Sequence, residues 1–345
     1  KMVRQSAWQV FSKEDIDKLV QKEHRSIVTY EGEVFDATDF KVTHPGGSRF
    51  IDDHAGEDIT KLFHDYDHSK IAFRLLSELK IGVLAGSPEN KSNQDSKTKE
   101  FEDESWRQYL DPNEGAIYQV FTKFNKDLYM EFINDPKHLT RPGDLLRMYK
   151  SPFIDFFTRT PYYVVGLFFT PIVLYHLWCS CQIVPAYIVA IIFLLGVFIW
   201  TFAEYILHRF LLHTEEYIAG NRYLRTLHFM GHGVHHCFPM DKDRLVSPII
   251  LTFPIYLILS NLISLVCAET VFDSLVAGII FAYMCYDMGH YYLHHSKPFE
   301  FTEYRKKYHM YHHYKDTLNG FGVTTSFWDT VFGTELDLKS KSSAS

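Results

Sequence analysis

Basic charge is in short supply: 35 Lys and Arg stand against 42 Asp and Glu, a net charge of −7 over 345 residues. Recognition of a phosphate backbone needs a concentrated basic face, so nucleic acid is excluded as a partner. Cysteine is scarce as well, with Cys179, Cys181, Cys237, Cys267 and Cys285 forming no C-x-x-C pair. That argues against a disulfide framework and against a cysteine zinc site, and the five are read as reduced thiols. The first thirty residues are charged throughout, so the expectation is that no cleavable signal opens the chain and that the N-terminal half stays in the cytosol. No lysine or arginine interrupts residues 162–207 or 247–293.

What the chain has in excess is aromatic and imidazole. Aromatic residues make up 16%, and 12 of the 19 histidines fall between His208 and His313. They come in four blocks. EYILHRFLLH places His208 and His213 five apart, roughly 140° around an α-helix, so they reach one pocket only if the helix ends or bends there. LHFMGHGVHH places His228 and His232 four apart and His232, His235 and His236 at i, i+3 and i+4; GHYYLHH gives His290, His294 and His295; YHMYHH gives His309, His312 and His313. Spacings of three and four put side chains on one helical face. Imidazole ligates zinc, iron, copper and nickel, and one ion takes about three or four protein ligands. About ten convergent histidines therefore imply two metal ions. The isolated His138 and His176 are read as hydrogen-bonded core residues.

Residues 1–86 read as a small α+β unit. Ser12 precedes KEDIDKLVQ as an N-cap with acidic residues in the first turn, and SIVTYEGEVFDATDF alternates around Gly32 like a hairpin. HPGG follows at His44 to Gly47. On these strings residues 10–84 resemble the cytochrome b5 fold. The resemblance implies a haem b whose first ligand is His44 and whose second lies 24 residues on, at His68. His54 and His64 compete, but their spacing does not match. Phe40, Ile51, Leu62, Phe63 and Leu75 stand where that family lines its pocket, and Ile27 replaces its usual Trp. Two axial histidines saturate the iron, so such a haem carries single electrons.

Residues 87–105 are polar and charged and read as a flexible linker. Residues 106–161 are amphipathic and broken by prolines, which suggests helices at a membrane surface or a soluble helical connector. Four apolar runs follow, at 162–178, 183–207, 247–267 and 271–293, each long enough to cross a hydrocarbon core of about 30 Å. Residues 162–338 are thus expected to form an all-α integral membrane domain with four transmembrane helices and a cytosolic histidine-rich cap, ahead of a polar tail at 339–345. From a cytosolic start, four crossings return the ends carrying His208/His213 and His290/His294 to the cytosol. Arg209, Arg222, Arg225, Lys242, Arg244, Arg305, Lys306 and Lys307 agree with that side.

EYILHRFLLH, LHFMGHGVHH, PMDKDRLVSP, YDMGHYYLHH, YHMYHH and NGFGVTTSFWDTVFGT together resemble the fatty acid hydroxylase superfamily of membrane di-iron enzymes, over about residues 150–335. Carried over residue by residue, the resemblance implies metal ligation by His208, His213, His232, His235, His236, His290, His294, His309, His312 and His313, with His228 and His295 unligated. It implies two irons (with zinc able to replace them in isolated protein), O2 as co-substrate, and hydroxylation at the 2-position of long-chain acyl groups in sphingolipids. Membrane lipid surrounds the domain. Each turnover would consume two electrons, supplied by the haem domain and refilled by NADH-cytochrome b5 reductase, at the endoplasmic reticulum membrane. Glu204 and Asp287, each one turn before a ligand, are placed to accept imidazole N–H groups, and Tyr283 is placed to face substrate. The alternative is a cytochrome b5-fused acyl or sphingolipid desaturase; His309 standing where Gln leads the last desaturase box favours the hydroxylase.

Overall fold

The structure is a computed structural model and describes residues 8–42, 44, 48–65, 68, 70–86, 106–137, 146–295 and 300–338. The expected linker at 87–105, the tail at 339–345, Pro45 to Gly47 and His138 lie outside the described residues. The rest falls into two compact units, one within the first 86 residues and one running from Trp106 to Leu336.

In the first unit the Ser12 hydroxyl accepts from the Asp15 N–H and the Asp15 carboxylate accepts from the Ser12 N–H, the reciprocal cap that starts α1 (Lys13–Glu23). Strand β1 (Gln9–Phe11) precedes it, and β2 (Ile27–Tyr30) and β3 (Glu33–Asp36) follow as the hairpin expected around Gly32. Glu31 at φ 48° and Gly32 at φ 78° turn the chain, the backbone sense that matches strand twist. β4 (Lys80–Leu84) completes a sheet of order β1-β4-β3-β2, with β1 parallel to β4. Alternate residues feed two cores. Ile27 and Val34 pack with Phe11 and Ile16, so Ile27 fills the place of the family's Trp. Val28, Tyr30 and Phe35 pack with Phe63 and Leu76, from α3 (Thr60–Asp65) and α4 (Lys70–Glu78), which follow the short α2 (Ser48–Asp53).

The second unit begins with α5 (Ala116–Thr122) and α6 (Lys126–Ile133). Val120, Phe124, Tyr129 and Phe132 bury against Phe229, Val234 and Phe238. The buried Arg225 guanidinium ties the end of α5 down by donating to the carbonyls of Val120 at 3.5 Å and Phe124 at 2.5 Å. An intramolecular core thus takes part of the amphipathic pattern, while Tyr118, Phe153, Ile154, Phe156 and Phe157 of the same stretch stay exposed. After α7 (Pro152–Phe156), whose Asp155 is buried against Arg244 at 3.2 Å, come α8 (Tyr162–Ile183) and α9 (Ala186–Leu207).

Among the described residues three helices are long and apolar enough to cross a membrane: α8, α9 with its continuation to Ile218, and α14 (Glu269–His295). The expected fourth, α13 (Ile249–Ser264), has 16 residues, about 24 Å at 1.5 Å per residue, short of the core thickness. Its apolar run is longer than its helix because Ser247 and Pro248 begin it and Leu265 ends it. α14 packs along both α8 and α9. At the α9 crossing a Cβ on Gly278 would collide with the Phe193 carbonyl and one on Gly196 with that of Leu275, the close backbone approach that small residues allow in membranes. His176 is a core residue as read: Nδ1 meets Asp273 at 2.6 Å and Nε2 meets the Tyr256 hydroxyl at 2.9 Å.

Candidate metal centre

The first histidine block solves its 140° problem with a π-turn. Residues His208–Leu212 follow α9 as π-helix, and the His213 N–H donates to the His208 carbonyl at 3.1 Å. An i→i+5 turn stacks residues five apart, so both imidazoles face one way. After α10 (Glu215–Ile218) and α11 (Arg222–His228), a second π-turn at Phe229–Gly233 leads into α12 (Val234–Cys237). It turns His228 out of line. His228 instead takes the Tyr129 hydroxyl on Nδ1 at 2.6 Å and donates from Nε2 to the Leu212 carbonyl at 2.7 Å, so neither nitrogen is left for a metal. The end of α14 and α15 (Glu300–Tyr314) bring the remaining blocks.

All ten expected ligands come together, in two groups of five. Nε2 atoms of His235 and His290 lie 3.0 Å apart, His235 and His313 3.0 Å, His290 and His294 3.2 Å, His294 and His309 2.9 Å, and His309 and His313 3.1 Å. In the other group His208 lies 3.2 Å from both His213 and His232, and His312 lies 3.1 Å from His213; His236 joins His208, His213 and His312 with ligand atoms within 4.8 Å. Sequence neighbours part company here: His235 and His236 serve different groups, as do His312 and His313. His295 joins neither.

These contacts fit a cation. His208 Nδ1 donates to the Phe321 carbonyl at 2.5 Å and His312 Nδ1 to the Asn319 carbonyl at 2.7 Å, so their Nε2 atoms carry lone pairs aimed at other imidazoles. Two nitrogens bound to one metal at about 2.1 Å and roughly 90° apart stand about 3.0 Å from each other. Burial, and then neighbouring imidazoles, hold His232, His235, His236, His309 and His313 well below the ordinary imidazole value, and His312 is pushed down to about 3. Neutral imidazole is the ligating form.

A correction concerns the carboxylates. Glu204 accepts from the Val323 and Thr324 N–H groups at 2.7 and 2.8 Å, and Asp287 accepts from the Ser247 N–H at 3.2 Å and the Tyr283 hydroxyl at 3.0 Å. Neither takes an imidazole N–H, because the 319–324 loop inserts its carbonyls between Glu204 and His208. That loop is the brace. Asp329, on α16 (Phe327–Phe332), accepts from the Phe321 and Gly322 N–H groups at 2.9 Å, and Arg305 donates to the Val323 carbonyl at 2.6 Å. Glu215 stands 3.5 Å from His213 Nδ1 and 3.4 Å from His228 Nε2. Asp329, Arg305 and Glu215 were given no role at the site from sequence; the string NGFGVTTSFWDTVFGT contains Asp329, and Arg305 entered only as a basic residue of the cytosolic side. Tyr283 packs against Phe169 and Trp200.

In the first unit the His44 and His68 rings lie 6.4 Å apart, centroid to centroid, with planes 26° from parallel. Two metal–nitrogen bonds of about 2 Å, plus a ring radius at each end, need about 6 Å. Phe63 stacks on His68 at 3.9 Å and its carbonyl accepts from His68 Nδ1 at 2.8 Å. His64 pairs with the Tyr30 hydroxyl and His54 with Glu57.

Residues 193–334 match the fatty acid hydroxylase family, and residues 11–85 the cytochrome b5-like haem/steroid binding domain. The ceramide very long chain fatty acid hydroxylase SCS7 of Saccharomyces cerevisiae is 37% identical, over 90% of this chain and 90% of that one. The chain belongs to the fatty acid hydroxylase family. Fatty acid 2-hydroxylase of Rattus norvegicus is 31% identical over 87% of this hydroxylase and 88% of its own length. The dihydroceramide fatty acyl 2-hydroxylase FAH2 of Arabidopsis thaliana is 36% identical over 66% of this chain and 94% of its own. A solved structure of full-length scs7p, with only its hydroxylase domain visible, superposes with a TM-score of 0.63 at 37% identity, covering 67% of this chain and 87% of that one. The hydroxylase is an oxidoreductase; its cytochrome b5 domain implies haem and its family iron.

Proposed function

We propose that this chain is a membrane di-iron monooxygenase that hydroxylates the 2-position of long-chain acyl groups in ceramide-type lipids. The observation that carries the reading is a group of five histidines and a second group of four with His232 against it, all nitrogen and converging at the ends of apolar helices. His208, His213, His232, His236 and His312 would hold one ion, and His235, His290, His294, His309 and His313 the other. Iron bound there supplies the redox steps that activate dioxygen and break an alkyl C–H bond.

The chain's own contribution is placement. Burial keeps the imidazoles neutral and excludes water, the 319–324 loop fixes two of them in the Nδ1–H tautomer, and Glu204, Asp329 and Arg305 hold that loop. His44 and His68 would hold haem b, whose single electrons the hydroxylase consumes in pairs and NADH-cytochrome b5 reductase replaces. The ceramide assignment is supported by the names of the yeast and plant relatives. We place the enzyme in the endoplasmic reticulum membrane with both sites cytosolic, α8, α9 and α14 crossing and α13 forming a hairpin with α14. α13 starts beside Asp287 and α14 ends in the metal ligands, so that hairpin returns to the same side however deep α13 reaches.

Full-length protein in membranes, given NADH, cytochrome b5 reductase and labelled ceramide, acyl-CoA or free fatty acid in turn, tests this by mass spectrometry. A gain of one oxygen at carbon 2 of ceramide, lost in His235→Ala, supports the reading. Loss of two hydrogens identifies a desaturase instead, and product from free acid or acyl-CoA alone overturns the ceramide assignment.

A further inference from the structure

We infer that the two metal sites are unequal: the His208 group holds its ion tightly and the His235 group holds its ion loosely, with Glu215 as a positioning residue that creates part of the difference. This rests on the two-ion reading above. The first observation concerns each ligand's second nitrogen. In the His208 group, His208 and His312 give their Nδ1–H to the carbonyls of Phe321 and Asn319, while His213 Nδ1 makes no hydrogen bond and stands 3.5 Å from the buried Glu215 carboxylate. In the other group, Nδ1 of His235, His294, His309 and His313 is buried, and none finds a partner. Acceptors of this kind fix the tautomer and raise ligand basicity, and losing one typically costs about 10–100-fold in metal affinity.

The second observation is the fixed charge beside the His208 group, and it points the same way. Glu215 is 6% exposed and stands between His213 and His228, placing an anion within one residue of the first ion. A divalent ion is stabilised by the nearby anion, most of all where water is excluded. The enzyme therefore passes through a one-metal form, and supply of the second ion controls how much of it is complete.

The full-length protein loaded with two zinc ions is dialysed against rising chelator, and zinc per chain is counted. The expected curve has two steps at least tenfold apart in chelator concentration, with a plateau at one ion. His294→Ala should keep only the tight step and His312→Ala should lose it. Glu215→Gln should move the tight step at least tenfold toward the loose one and leave the loose step in place, which a general loss of folding would not do. Two ions leaving together, or an early-leaving ion that depends on His312, would overturn the inequality; a tight step unmoved in Glu215→Gln would remove Glu215 from it. If a variant fails to accumulate, the wild-type curve decides alone. A chain that takes up only one ion at saturating zinc overturns the two-ion reading itself.

Discussion

His208 and Phe321 are joined across 113 residues, the imidazole Nδ1–H donating to the carbonyl at 2.5 Å. The carbonyl is in place because Glu204, one turn before His208 on the same helix, holds the N–H groups of Val323 and Thr324. Glu204→Ala leaves the buried Val323 N–H unmet, at about 1–3 kcal/mol, and frees the less buried Thr324 N–H. A lower melting temperature and loss of the ion in the His208 group should follow, with less 2-hydroxylated product. Unchanged metal content would show that the loop stands without Glu204.

Gly278→Leu drives a side chain into the Phe193 carbonyl at the α9 crossing. Overpacking of this kind costs about 1–3 kcal/mol, and here it also displaces α14, which carries His290 and His294. Metal per chain should fall. Gly220→Ala, where a Cβ meets nothing within 4 Å, should change stability by less than about 0.5 kcal/mol. Equal thermal stability of the two variants would refute the crossing argument.

Asp155 accepts from the Met148 N–H at 2.7 Å and pairs with Arg244 and Arg159. Burial pushes its carboxyl up, but the Arg159 hydrogen bond, the Tyr149 N–H and Arg244 outweigh it and hold it below the ordinary value of 3.8. A carboxyl with a depressed folded-state pKa stabilises the fold above its unfolded value, and that contribution fades as pH falls below about 3.9 toward the folded one. Asp155→Asn takes one of two carboxylates from the buried Arg244, which keeps Asp241 at 3.0 Å, so the loss stays below the ~3–5 kcal/mol of a fully stranded charge. The variant's denaturation midpoint at neutral pH should drop accordingly, and the gap to wild type should narrow in acid.

His68→Ala should abolish the low-spin reduced haem spectrum, and His64→Ala should leave it, since His64 is engaged by Tyr30 at 3.1 Å. The opposite outcome would move the second ligand to His64.

Protein carrying zinc in both groups should be folded and inactive, because zinc binds imidazole more tightly than ferrous iron and has no second oxidation state. Exchange for iron should restore oxygen insertion into the acyl chain. Full turnover with two zinc ions would remove iron from the mechanism.

Much of this was written locally in the chain. The Ser12 cap, the hairpin at Gly32 and the interval from His44 to His68 are short-range facts, set by hydrogen-bond geometry within a few residues or by one pocket's span. Histidines at i, i+3 and i+4 likewise had to share a face wherever their helices formed. The partition of those histidines was not local. Neighbours on a helix point about 100° apart, so His235 and His236, or His312 and His313, can join one group or two, and only the approach of α14, α15 and the two π-turns set them in two. The same holds for the carboxylates: sequence placed Glu204 one turn from His208, but a loop more than a hundred residues later took the position between them. The amphipathic face of α5 and α6 and the reach of α13 were also left to tertiary structure, because an apolar pattern records that a surface must be buried and says nothing of whether lipid or protein buries it.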